Sequence, residues 1–346
     1  MSTDSVGASV AVNSNRENER NILRYSLGVM IPVFVMVMWQ WEMAYITPSL
    51  VTLMLGPPAR PFPPRVYGGF IKALIVALGM GIFLTRIVEP YPLLTVIAMG
   101  WFLYGIFYKA ATGANILIVV ILLMSVLAYP SMAMLDINLS MEIALGVTKS
   151  YLLALFSTAL MHVIIPVKVS NPSPSPTIKS PAEAARTALI NTLVVLPILV
   201  YFLMFDCQAA ILTLIYVGIL VLSACLHKGI KTLVGVLIAN FIGGLAAIAI
   251  YELMVIAPVV PFYLLIMFLG TLMFAKIVFN SPKGALFASA LSCVMLLITD
   301  TTNTTGFDLD YAFYERWIYI ALANIYVVFN FMVLTALGWL KPSTKP

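Results

Sequence analysis

The stretch Trp39–Lys72, WQWEMAYITPSLVTLMLGPPARPFPPRVYGGFIK, decides how the chain is read. It opens on an aromatic and acidic cluster, Trp39, Trp41 and Glu42. An apolar run from Ala44 to Leu55 follows, with Pro48 inside it. The chain then breaks at Gly56-Pro57-Pro58 and turns basic at Arg60 and Arg65, and a new apolar segment begins at Tyr67. The run is 12 residues long. As helix it rises about 18 Å, well short of a hydrocarbon core of about 30 Å. Between two long apolar segments it reads as a shortened or broken membrane helix, with Pro48, Gly56, Pro57 and Pro58 as its structural break. Such helices are tolerated where they pack inside protein or line a cavity. A short tilted helix ending in a proline-rich turn fits the same letters.

The rest of the chain agrees with a membrane setting. Hydrophobic residues make up 62% of the 346, charged residues 10%, and mean hydropathy is +1.03. Soluble domains carry about 25% charge, so the sequence predicts an all-α, polytopic membrane protein. The first 20 residues are polar and lack the apolar core of a cleavable signal. Cys207, Cys225 and Cys293 form no disulfide or metal-binding pattern.

Twelve apolar segments are predicted, at 22–39, 44–55, 67–85, 91–108, 114–130, 141–165, 185–204, 207–226, 230–254, 259–279, 285–299 and 312–340. Charge placement tests that number. With the N-terminus inside the cell, 16 of the 19 Lys and Arg fall on the inner side, and only Arg86, Lys149 and Arg316 fall outside. This satisfies the positive-inside rule at every inner connection. The formal charge of +5 is thereby explained by topology, with no need of nucleic acid. Both termini are expected in the cytoplasm.

The chain also repeats. The linker Val169–Pro181, VSNPSPSPTIKSP, divides it into two six-segment halves. Trp41-Glu42 matches Phe205-Asp206. Arg65-Val66-Tyr67-Gly68 matches Leu226-His227-Lys228-Gly229, and Lys109 matches Lys276. Six is even, so the halves are expected to be parallel repeats related by a pseudo-twofold along the membrane normal. The expected organisation is a disordered cytoplasmic N-terminus (1–20), repeat 1 (21–168), a cytoplasmic linker (169–181), repeat 2 (182–340) and a short cytoplasmic tail (341–346).

No catalytic or metal constellation emerges. His162 and His227 are isolated, no His, Cys, Asp or Glu cluster has metal-ligand spacing, and no phosphate-cradling loop is present. The sequence therefore predicts no enzyme, metal or cofactor. Gly79-Met80-Gly81 and Gly243-Gly244 read as close-packing positions between helices.

The informative residues are basic. Lys72 lies within the third segment, Lys109 and Lys276 end equivalent segments, and Arg65 and Lys228 stand at equivalent inner entrances. A charge in a membrane helix usually faces a cavity or partner. If the halves meet around an axis, these cations form a positive inner vestibule suited to anions. They could equally snorkel to lipid phosphates. Trp101, Tyr104 and Tyr108 recur at i, i+3 and i+7 above Lys109. They read either as a stacking strip for an aromatic anion or as an aromatic packing stripe. Glu42, Asp206 and Asp300 are candidate proton-coupling carboxylates on the outer side, or solvated turn residues.

The Arg24-Tyr25 opening of the first helix, Thr47-Pro48 in a short second segment, the Gly56-Pro57-Pro58 break and the basic, Gly-rich start Arg65–Gly69 resemble the fusaric-acid-resistance and aromatic-acid-exporter superfamily of bacterial inner-membrane efflux proteins. The duplicated six-helix module resembles it too. The large cytoplasmic domains common in that superfamily are absent, so the likeness is to a compact branch. It implies export of organic, often aromatic, carboxylate anions across the bacterial inner membrane. A periplasmic membrane-fusion adaptor and an outer-membrane channel would be the partners. A homo-oligomer is compatible with this reading. A passive organic-anion channel and a non-transporting membrane scaffold remain as alternatives.

Overall fold

A computed structural model of the chain describes residues 3–39, 41, 43–57, 63–88, 90–167, 180–205, 211–226, 230–301 and 309–336. Among them are twelve helices and no strand. They are α1 (Thr3–Met38), α2 (Ile46–Leu55), α3 (Pro64–Val88), α4 (Pro92–Ala111), α5 (Ile116–Ala133), α6 (Ile137–Ile164), α7 (Pro181–Met204), α8 (Ile211–Leu226), α9 (Ile230–Val255), α10 (Val260–Asn280), α11 (Gly284–Thr301) and α12 (Leu309–Ala336). Nine of the helices among the described residues are long and apolar enough to cross a membrane. The stretches Ile46–Leu55, Thr213–Leu222 and Gly284–Thr299 are shorter apolar helices. The protein is a multi-pass helical membrane protein by length and composition.

Local chemistry sets the helix ends. Ser180 caps α7, its hydroxyl accepting from the Glu183 amide, with Pro181 in the first turn and Glu183 at the capping-box position. Asn115 caps α5 by accepting from the Leu117 amide at 3.0 Å. Helix starts at Thr3, well before the apolar run and within the polar stretch expected to be disordered. Extending a helix already nucleated by an apolar segment costs little per added residue.

The chain divides into two compact units. Unit 1 comprises 1–67, 146–174 and 238–313. Unit 2 comprises 68–145, 175–237 and 314–346. In unit 1, α1 packs on α2 and α10, and α11 packs on α2 and α10. In unit 2, α7 packs on α4 and α8, and α5 packs on α4 and α8. Each unit therefore joins helices from both halves of the sequence.

The short α2 is resolved by its surroundings. Thr47, Pro48, Ser49, Leu50, Val51, Thr52, Met54 and Leu55 are all buried, and Leu53 is exposed. It is a core helix of unit 1, the setting in which an abbreviated membrane helix is tolerated. Hydroxyls meet α11 at the N-terminal end of α2. Ser49 Oγ and Ser292 Oγ are 2.5 Å apart, and the Thr299 hydroxyl, which also reaches the Met295 carbonyl of its own helix, lies 3.1 Å from the Tyr45 carbonyl. Pro48 does not interrupt the helix. It sits in the first turn, where its missing N–H would have no intrahelical partner. The chain leaves the helix at Gly56, whose backbone is extended, and Pro57 follows.

One of the two predicted glycine pairs tests the close-packing expectation directly. A Cβ on Gly81 would overlap the buried Tyr129 ring, with Cε2 at 2.9 Å, whereas one on Gly79 meets nothing within 4 Å. Both substitutions gain the same helix propensity, about 1 kcal/mol. Gly81→Ala is accordingly expected to melt lower than Gly79→Ala, by the overpacking cost of about 1–3 kcal/mol. Equal melting temperatures for the two purified variants would refute the contact.

Candidate functional site

The predicted cations divide between the units. Arg65, at the start of α3, belongs to unit 1, as does Lys276 on α10. Lys72 on α3 and Lys109 on α4 belong to unit 2. All four are exposed, and none of their side chains bonds to or pairs with another described residue. The three lysines share a setting. Lys72 lies on the face of Ile75 and Val76, Lys109 on that of Trp101 and Gly105, and Lys276 on that of Leu269 and Met273. Every one of these neighbours is exposed. Each lysine thus stands on an exposed apolar stripe of its own unit, without a counter-ion.

The aromatic strip is only partly assembled. Tyr104 and Tyr108 are stacked, with ring centroids 6.4 Å apart and planes at 25°. Trp101 is 75% exposed and lies on the Lys109 stripe instead of over the tyrosine pair. Its i, i+3, i+7 spacing brings the residues to one side of α4, but three-residue steps rotate the face, and only the four-residue step stacks the rings.

Of the other predicted residues, Glu42, Pro58, Asp206 and Lys228 lie outside the described residues. Asp300 has its backbone in α11 and its side chain outside the described set. Next to Glu42, the α1–α2 turn of unit 1 is tightly held. Trp41 Nε1 donates to Ser150 Oγ at 3.3 Å, and Ser150 Oγ donates to the Met43 carbonyl at 2.8 Å. Met43 has φ 64°, a left-handed conformation uncommon for a residue with a Cβ. No group of three or more metal-ligating side chains occurs among the described residues.

Sequence reasoning passed over Arg24. It counted Arg24 among the inner-side charges that set topology and within the motif opening the first helix. The structure encloses it at 1% exposure, among the largest fully buried side chains. Its Nη2 donates to Asn21 Oδ1 at 3.0 Å, while its Nε has no hydrogen-bond partner. The next residue, Tyr25, is packed edge-on against Phe279 of α10, with centroids 5.6 Å apart. Burial by a helix distant in sequence leaves no local signature. The only hint was an arginine inside the first apolar stretch.

Residues 21–161 match a family described as "Protein of unknown function (DUF2955)". The matched stretch runs from α1 to α6, the first six-helix half. Neither curated proteins nor solved structures gave a match.

Proposed function

We propose that the protein is a secondary efflux carrier for organic, chiefly aromatic, carboxylate anions in the bacterial inner membrane. The observation that carries this reading is the set of cations on apolar helices that have no counter-ion among the described residues, Lys109 and Lys276 above all, which occupy matching positions six helices apart. A carboxylate satisfies such groups by charge-assisted hydrogen bonds while its apolar body contacts the stripe beside them. The chain is read as twelve crossings in two like-oriented six-helix repeats, with both ends in the cytoplasm. Two findings support the repeat. The packing pairs α1–α10, α1–α2, α2–α11 and α10–α11 of unit 1 recur six helices on as α7–α4, α7–α8, α8–α5 and α4–α5 of unit 2. The family match also stops at the end of one six-helix module. The likeness to the fusaric-acid-resistance and aromatic-acid-exporter superfamily adds a periplasmic adaptor and an outer-membrane channel as partners.

A second reading, topology-setting lysines that snorkel to headgroups, is favoured by the exposed apolar stripes themselves. Reconstitution separates the functional alternatives. Proteoliposomes loaded with buffer and given external labelled phthalate, an aromatic dicarboxylate too polar to cross bare lipid as benzoic acid does, are expected to accumulate it above the external level only under an imposed pH gradient. Equilibration without a gradient would identify a passive channel. Absence of any flux would leave a scaffold and sink the transport reading.

A further inference from the structure

We infer that Arg24 is the holding point for an oxyanion inside unit 1: the carboxylate of a small solute or the phosphate of a lipid headgroup. The solute arm rests on the transport reading above; the site itself does not. A guanidinium stays protonated in proteins, and here the protein encloses it, so it cannot snorkel to water or to headgroups as an exposed lysine can. A buried charge normally has a counter-charge and a full set of hydrogen bonds. Arg24 has one described hydrogen bond, to the neutral side-chain amide of Asn21, and its Nε has none. The carboxylates described in unit 1 are Glu17, Glu19 and Glu252, and none of them pairs with it. Among the described residues the charge is uncompensated.

The placement of Arg24 gives an approach. Arg16, Arg20, Arg24 and Gly28 follow one another at four-residue steps, one turn apart along one slowly rotating face of α1. Arg16 and Arg20 are exposed, and Arg24 is buried. At Gly28 the face closes, because a Cβ there would overlap Leu55 Cδ1 of α2 and lie 3.1 Å from Met161 Cγ of α6. A cationic ladder thus leads from the surface to an enclosed guanidinium and stops against apolar side chains at the end of α2. Asn21, one turn back, fixes the guanidinium through Nη2 and leaves the Nε edge for an acceptor. A planar donor edge held in place before the ligand arrives is suited to an oxyanion with two acceptor oxygens.

The test uses the full chain in lipid nanodiscs, with the melting temperature as readout. In discs of digalactosyldiacylglycerol, a bilayer lipid without phosphate, benzoate is expected to raise the melting temperature of the wild type saturably, and Arg24→Gln is expected to abolish the response. Arg24→Lys keeps the charge and loses the planar fork, so half-saturation is expected to need about tenfold more benzoate. If benzoate has no effect but added phosphatidylglycerol stabilises the wild type and not Arg24→Gln, the oxyanion is a lipid phosphate and the site stands. A wild type indifferent to both ligands overturns the proposal, as does an Arg24→Gln protein that responds like the wild type. Should Arg24→Gln not fold, the wild-type and Arg24→Lys titrations decide. Export from cells separates this from the transport reading. Export with a nanodisc response independent of Arg24 overturns the site alone. An Arg24-dependent response without export overturns transport and leaves the site.

Discussion

Gly243→Leu is expected to leave little folded protein in the membrane, while Gly235→Leu on the same helix accumulates normally. The two glycines differ in what lies opposite them. A Cβ on Gly243 would overlap the Ala290 carbonyl oxygen and come within 2.9 Å of the Cys293 Cβ; one on Gly235 meets nothing within 4 Å. Neither neighbour of Gly243 can swing aside, because one atom belongs to the α11 backbone and the other is fixed to it. Asn240, Gly243 and Ala247 recur at i, i+3 and i+7, all buried, and the Cys293 thiol reaches the Asn240 carbonyl at 3.7 Å. At Asn240 and Gly243, α9 comes up against α11. In a membrane this contact is made by packing, since lipid tails are as apolar as the side chains they would replace. Even alanine at 243 is expected to cost about 1–3 kcal/mol by overpacking; leucine must part the helices. Size-exclusion profiles of detergent extracts would show the difference. A monodisperse, normally abundant Gly243→Leu would refute this close approach.

The sequence carried the helices and left their partners obscure. Every predicted segment end but the first falls within four residues of the observed one. These ends are local events: a proline in a first turn, Gly56-Pro57 after Leu55, a charge where the apolar run stops. Pro48 shows the limit even there, since the same residue starts a helix or breaks one according to which turn holds it. Packing was not legible. Nothing around Ser49 announces Ser292 as its partner, and nothing around Arg24 announces that Phe279 and the α2 end cover this part of α1. The proposed repeat groups α1 with α2 to α6, whereas the compact unit groups α1 with α10 and α11. These are different facts about the chain, because order along it and contact across it are set by different forces. The lysines were found by the cost of charge in an apolar segment, a rule that marks a residue without saying what it faces.

What they face decides whether Lys109→Gln combined with Lys276→Gln stops the proposed export. Glutamine is about one bond shorter than lysine but keeps a polar N–H donor at each position and removes the charge, so the pair tests electrostatics with little change in packing. A hydrogen bond to a charged group contributes about 1.5–3 kcal/mol, more than a neutral one. Losing that difference at either lysine is expected to lower transport of an aromatic acid about tenfold at subsaturating substrate, and the double variant more than either single change. Both side chains are exposed and unpaired among the described residues, so neither substitution orphans a described buried partner, and the amount of protein in the membrane should hold. The snorkelling reading predicts the converse. Inner-side positive charge helps to fix orientation, so losing it would lower correctly oriented protein while export per molecule stayed constant. Benzoate efflux from preloaded cells, normalised to correctly oriented protein counted with a cytoplasmic tag, distinguishes the two. Unchanged efflux per molecule in the double variant would remove both lysines from the transport route.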